Sequence, residues 1–484
     1  MTISVNKQNT VFGLLAGIFV AVAALAVLTE QYFFIIIPFA LLFFYAGWQN
    51  RNIVFLLLLF TLPLSFEYNF SSGLGTDIPD EFLMLLVLLL FILYWFYSPK
   101  VISKNILQHP LMVLLLIILC WTFVTVLFST RQQISLKFLL AKSWYVGAFV
   151  IAPAIVFRAK KRITVAAIAL VSSMLLVTGI ALVRHYENNF SFATINEAVS
   201  PFFRNHVNYS AMLVCMLPVL GAFYQLNKKR DFKIVLTFII AIVLIALFFS
   251  YARGAWLALL AGATARWLIK NRLLLYAYIA ATIITLGLLF WIKENDRYLE
   301  YAHDYNTTIF HKDFSEHLIA TYKLKDVSTE ERFYRWIAGV RMIKDNWLTG
   351  FGPNTFYNNY KDYTVPAYKT WVSNNPEHST VHNYFLLTTV EQGIPGLVFL
   401  LLLFGGMIYY AQKLYHRIRD TFYKTVAITT GVMLTMIIVV NSLSDLIETD
   451  KIGSLFFLCL ATLIVTDVNT RDESDFPPHI KSIP

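Results

Sequence analysis

Three places in this chain put residues able to grip or move a charged group at the ends of long apolar runs. One is Glu377-His378-Ser379-Thr380-Val381-His382-Asn383-Tyr384, where a polar stretch gives way to a span. An imidazole at such a junction can act as a base near neutral pH, so His382, with Asn383 beside it, is the candidate for proton transfer. The second is Ser250-Tyr251-Ala252-Arg253-Gly254-Ala255-Trp256, one cation between two apolar runs. A lone arginine at membrane depth costs about 2.5 to 3.5 kcal/mol on insertion scales, so it needs a partner or a purpose. Snorkelling to the interface is the plain reading, yet the turn is very short, and the planar guanidinium fork suits a phosphate oxygen. The third is Arg204-Asn205-His206-Val207-Asn208-Tyr209. Its amides and guanidinium can bind hydroxyls or phosphate, or Asn208 can cap the helix that follows.

A polar insert, 293–382, separates the second element from His382. Within it Ser328-Thr329-Glu330-Glu331 has the form of a capping box, opening a helix that carries Arg332, Arg335, Trp336, Arg341 and Lys344 and stops near Asn346. Arg332 and Trp336 are four apart and share a face, with Arg335 beside them. The turn Trp347-Leu348-Thr349-Gly350-Phe351-Gly352-Pro353-Asn354 comes next, and then Tyr357, Tyr360, Tyr363 and Tyr368. Those aromatics can stack on sugar rings or serve as the core of a small external lobe. His378 and His382 are spaced like a metal pair, but the preceding Asn-Pro argues against a continuous helix and no third ligand is evident.

The elements that must position these groups are membrane helices. The chain has 484 residues, 58% hydrophobic and 14% charged, in runs long enough to cross about 30 Å of hydrocarbon. Backbone groups in such runs must be satisfied within their own segment, so the fold is expected to be all-α and polytopic. Fourteen candidate spans begin near Val11, Tyr32, Ile53, Glu81, Pro110, Phe138, Ile163, Tyr209, Ile234, Ala255, Leu273, His382, Thr425 and Ser454. The first lacks a small-x-small cleavage site and leads straight into another span, so it reads as a span rather than a cleaved signal. Lys/Arg clusters at 158–162, 228–230, 266–272 and 413–424 alternate with segments at 67–81, 184–208, 250–254, the insert and 444–451. By the positive-inside rule the clusters are cytoplasmic, as are both termini, and the insert is periplasmic.

The net charge of +10 is thus mainly a topology signal and gives no nucleic-acid reading. Cys120, Cys215 and Cys459 fall within spans and imply no disulfide framework. There is no low-complexity tract and no internal repeat of the inverted-transporter kind. The first seven spans are assigned packing and a wall for a long lipid. Glu67, Asp77, Asp80 and Glu81, with Lys137 and Lys142, are read as solvated interfacial charges.

Taken together, the motifs resemble the O-antigen ligase and polymerase superfamily of envelope glycosyltransferases. The likeness covers about residues 200–410 and rests on order. Asn205 and Asn208 precede a span with Leu217-Pro218; next come Ser250-Tyr251-Ala252-Arg253-Gly254 and Arg332 with Trp336; Leu348-Thr349-Gly350-Phe351-Gly352 and His382-Asn383 with Glu391-Gln392-Gly393-Ile394-Pro395-Gly396 follow. Tyr251 stands where a serine is common and Trp347 where a proline is usual. The expected organisation is N-terminal helices over 1–199, helices with the Asn205/Asn208 and Arg253 elements over 200–292, a catalytic periplasmic loop over 293–382, C-terminal helices over 383–467 and a tail over 468–484.

A site outside the cytoplasmic membrane has no nucleotide sugar or ATP, so its donor must arrive activated. The resemblance implies a glycan on undecaprenyl pyrophosphate and a bacterial inner-membrane location. His382, Arg253 and Arg332 are the expected catalytic residues, and Arg335, Arg204, Asn205, Asn208, Asn383 and Trp336 the binding residues. No nucleoside cofactor or metal is implied. The acceptor is expected to be a lipid A-core sugar, with a growing glycan or a protein hydroxyl as alternatives. A non-enzymatic flippase or permease is the competing class, and it would call for charges deep in several spans.

Overall fold

A computed structural model describes residues 36–71, 74–293, 327–365, 373–375 and 378–471, with scattered positions nearer the N-terminus. In chain order the main elements are α1 (Ile36–Gln49), α2 (Arg51–Thr61), a hairpin of β1 (Phe66–Ser71) and β2 (Leu74–Ile78), α3 (Asp80–Tyr97) and α4 (Pro110–Leu127). These lead into α5 (Gln132–Val156), α6 (Lys160–Glu187), α7 (His206–Leu226), α8 (Arg230–Phe249), α9 (Arg253–Lys270) and α10 (Leu274–Lys293). The insert contributes α11 (Val327–Asp345), and α12 (Tyr384–Arg417), α13 (Thr421–Ser442) and α14 (Asp450–Asn469) complete the bundle.

Nine of these helices are long and apolar enough to cross a membrane. The chain is therefore an all-α polytopic membrane protein, as composition requires. α9 is less apolar, with Arg253, Arg266 and Lys270 in its eighteen residues, and shorter apolar stretches run over Arg51–Leu64 and Leu274–Leu288. The expected span from Val11 lies largely outside the described residues. Burial locates the centre: α14 buries 83% of its apolar window and α13 61%, against 22% for α8 at the periphery.

Contacts between loops sort the helix ends into two sets. At one end Lys160 pairs with Asp420, His416 Nε2 meets the Ile269 carbonyl at 2.8 Å, and Arg417 binds Asp467 at 2.6 Å. The basic clusters around 160, 270 and 420 thus gather there. At the other end the Tyr251 hydroxyl donates to the Phe190 carbonyl at 2.6 Å, and Phe190 stacks on Phe249.

Two local expectations change. The 66–78 region forms a short antiparallel hairpin, with Glu67 opposite Asp77. The acids near it are not all solvated: Asp80 is fully buried and Asp77 lines an internal cavity, packed beside Asp450 and Lys451 from the distant α14. Burial beside other acids was invisible in the sequence because the partners are nearly 400 positions away.

Candidate active site

The described part of the insert folds into a lobe on the bundle end opposite the basic clusters. Its core joins Tyr334, Ile337, Ala338 and Met342 of α11 to Phe351, Phe356 and Tyr360, and to Val381, Leu387 and Val390. Of the aromatics considered for sugar stacking, Tyr360 is completely buried and stacks on Phe356 at 5.0 Å. His378 stacks on Tyr357 at 3.9 Å, outside any helix.

The glycine motifs fasten this lobe to the membrane helices. Pro395 has no N–H, so the Glu391 carbonyl loses its helical partner, and Gly393 at φ 72° breaks α12. The freed groups pair with the loop: Phe351 N donates to Val390 O at 3.0 Å, Gly352 N to Glu391 O at 2.9 Å, and Ile394 N to Trp347 O at 2.8 Å. A Cβ on Gly393 would sit 2.0 Å from the Leu348 carbonyl oxygen, which is why glycine stands there. The Glu391 carboxylate accepts from Asn354 N at 2.8 Å and Phe356 N at 3.0 Å. The α4–α5 corner completes the seam, Thr130 N donating to Phe351 O and Ser135 Oγ to Pro353 O.

His382 lies on the lobe's inner margin with φ 53°, a left-handed conformation uncommon outside glycine. α11 holds the segment that delivers it. Arg335 donates to the Thr380 carbonyl at 3.1 Å, and the Trp336 indole to the Val381 carbonyl at 2.8 Å. Arg335 also pairs with Glu331 at 3.1 Å, and Glu331 accepts from Ser373. Both residues, expected at the substrate, are thus occupied in holding the loop, and Arg335 is buried. Arg332 is half-buried on the Trp336 face. The cap of α11 involves side chains outside those described.

Beyond His382, Asn383 caps α12 by accepting from Leu386 N at 3.0 Å, and its amide donates to the Ser442 carbonyl at 3.0 Å. Tyr384 N donates to Ser444 O. These bonds bring in the α13–α14 connection, 443–449, which the sequence marked only as an external segment. Its Asp445 stands 3.7 Å from His382 Nδ1, ion-pair range rather than a hydrogen bond, and accepts from the Thr380 hydroxyl. An acid in a short loop on the histidine's side of the membrane was the one available signal for it.

The same connection reaches the other sites. Leu443 faces the start of α9, where a Cβ on Gly254 would lie 3.8 Å from Leu443 Cδ1. Arg253, half-buried, is the first residue of α9. A cation there opposes the helix dipole, whereas an anion at that terminus would be favoured. Thr449 lines a cavity of about 30 Å³ with Glu67, Asp77, Arg204, Asn208, Asp450 and Lys451. That space holds roughly one water. Burial, then the neighbouring Asp450, pushes the Asp77 carboxyl up to about 7, despite Arg204 and Lys451. Arg204 pairs with Glu67 at 2.9 Å. The cap of α7 is Asn205, which accepts from Val207 N and Asn208 N at 3.0 Å, so the cap falls three residues before Asn208. One connection therefore borders His382, Arg253 and the Arg204–Asn208 element, and Arg335 and Trp336 stand behind the loop.

A multi-pass all-α bundle with a polar lobe fastened at one end defines a membrane protein, and the candidate residues gather between lobe and helices. Residues 236–401, from α8 into α12 and including Arg253, Arg332 and His382, match the model of the family described as O-antigen ligase. The O-antigen ligase of Salmonella typhimurium is 28% identical over 218 residues, which is 44% of this chain and 49% of that protein. The chain thus spans about half the length of the curated relative it matches. Over residues 236–401 the chain is thus similar to the O-antigen ligase family, and its helices are those of a multi-pass membrane protein.

Proposed function

We propose that the protein transfers a glycan from undecaprenyl pyrophosphate to an acceptor hydroxyl, a lipid A-core sugar in the favoured case, on the periplasmic side. The observation that carries this reading is His382 beside Asp445 at the seam that also borders Arg253. Asp445 near Nδ1 favours the tautomer whose Nε2 lone pair faces the acceptor. His382 takes the hydroxyl proton, the oxygen attacks the anomeric carbon, and the bond to the pyrophosphate oxygen breaks with its electron pair leaving on the phosphate. One displacement inverts the anomeric centre. Arg253, aided by the N-terminus of α9, and Arg332 stabilise the charge that grows on the leaving group. Asn208 and Arg204 border the same connection and, with Asn205 at the cap of α7, assist donor or acceptor binding, and Asn383 fixes the start of α12.

The test is transfer by purified protein given lipid-pyrophosphate glycan and a panel of core-sugar, glycan-end and protein acceptors. Glycosidic product on the core sugar, abolished in His382→Ala, is expected. Movement of donor across a bilayer without bond formation would overturn the reading in favour of a transporter.

A further inference from the structure

At the bundle end that carries the basic clusters, a groove of about 630 Å³ opens between α6, α7, α8, α13 and α14. Small side chains make the room: Ala166 and Ala167 on α6 and Ala222 on α7 line it, with Leu170, Phe223 and Leu236. The α7 wall, 219–227, follows Pro218, which cannot donate the helical bond to Val214. The lining is almost wholly apolar, and its volume falls in the range of roughly 300 to 1,000 Å³ usual for ligand sites.

Charge at the mouth names the occupant. Ile163 and Thr164 line the groove one step from exposed Lys161 and Arg162, and Leu226 and Asn227 line it one step from exposed Lys228, Lys229 and Arg230. Nearby acids are few: Asp231 is exposed on α8, and Asp420 is taken by Lys160. Topology alone accounts for cations in these loops. It does not account for a deep apolar opening directly beneath two of them. We propose that the groove is a binding site for an anionic phospholipid of the surrounding bilayer, one acyl chain between α6 and α7 and the phosphate among the 161–162 and 228–230 cations. No residue of it belongs to the proposed transfer site, so the two readings stand or fall separately.

The full-length protein is reconstituted in bilayers containing phosphatidylglycerol or phosphatidylcholine, each with the same photoreactive acyl chain, and labelled peptides are mapped. Phosphatidylglycerol is expected to label 164–175 and 219–227 about tenfold more than phosphatidylcholine, since the basic residues at the mouth favour an anionic headgroup. The Ala222→Trp variant fills the groove and should remove labelling by both lipids. Ala167→Phe, on the opposite wall, replaces it if that variant unfolds. Lys228→Gln combined with Lys229→Gln and Arg230→Gln should reduce phosphatidylglycerol labelling to the phosphatidylcholine level. Equal labelling of these segments by both lipids in the unaltered protein, or labelling unchanged by a groove-filling variant that stays folded, would overturn the proposal.

Discussion

His382 and Asp445 should fail in different ways. A positioned base contributes about 10²- to 10⁴-fold, so His382→Ala is expected to lose that much in kcat with donor affinity nearly kept. Asp445 lies beside the histidine and accepts from the Thr380 hydroxyl, so in the proposed reaction it acts through His382. Asp445→Asn should lower kcat by roughly tenfold or more with little change in KM, and the double variant should be no worse than His382→Ala alone, since the two act as one unit. Additive losses in steady-state transfer would separate them. Arg253 and Arg335 likewise divide. Arg253→Lys keeps the charge but loses the fork, so transfer falls while thermal unfolding is unchanged. Arg335→Met removes a buried guanidinium that pairs with Glu331 and holds the Thr380 carbonyl, a loss of about 3–5 kcal/mol that a melting curve would register before any activity assay.

At the scale of elements, the break in α12 is what joins lobe to bundle. Gly393→Ala demands a left-handed residue and a Cβ 2.0 Å from the Leu348 oxygen, so the 347–354 loop must leave its seat. Backbone strain of this kind costs about 1–3 kcal/mol before the lost hydrogen bonds are counted. Limited proteolysis is expected to cut within 346–365 of this variant while the helices resist; an unaltered cleavage pattern would show that the interlock is dispensable. In the sequence Gly350 and Gly352 read only as a turn and Gly393 only as part of a motif. Their purpose depends on Pro395 orphaning a carbonyl that the loop, some forty residues earlier, then satisfies.

For the whole molecule, half-buried Asp77 gives folding a pH dependence. Asp77 holds its proton up to about 7 in the folded protein, against an unfolded value near 3.8. Between those values the folded state binds more protons than the unfolded one, so this group's contribution makes stability fall as pH rises from about 4 to about 7. Unfolding midpoints measured in detergent across that window should decline, and Asp77→Asn should flatten the decline. The two-ended arrangement of the bundle has its own check. In a cysteine-free background, Lys361→Cys is expected to react with an impermeant maleimide in cells whose inner membrane is intact, and Lys161→Cys only after that membrane is opened.

The sequence by itself determined the class of fold and named the candidate residues. Hydrocarbon forces apolar runs into helices, and alternating basic loops sort their ends, so thirteen of the fourteen expected spans fall on described helices. The order of Arg253, Arg332 and His382 was legible for the same reason, because polar residues at span ends stand out against apolar surroundings. Tertiary structure alone decided their partners. Asp445 meets His382 across more than sixty positions, Arg335 turns inward to Glu331, and half-buried Asp77 lies beside Asp450, because burial and pairing depend on which helices pack together. Hydropathy reports which segments enter the membrane, but the neighbour that each polar group finds there is set only when the helices assemble.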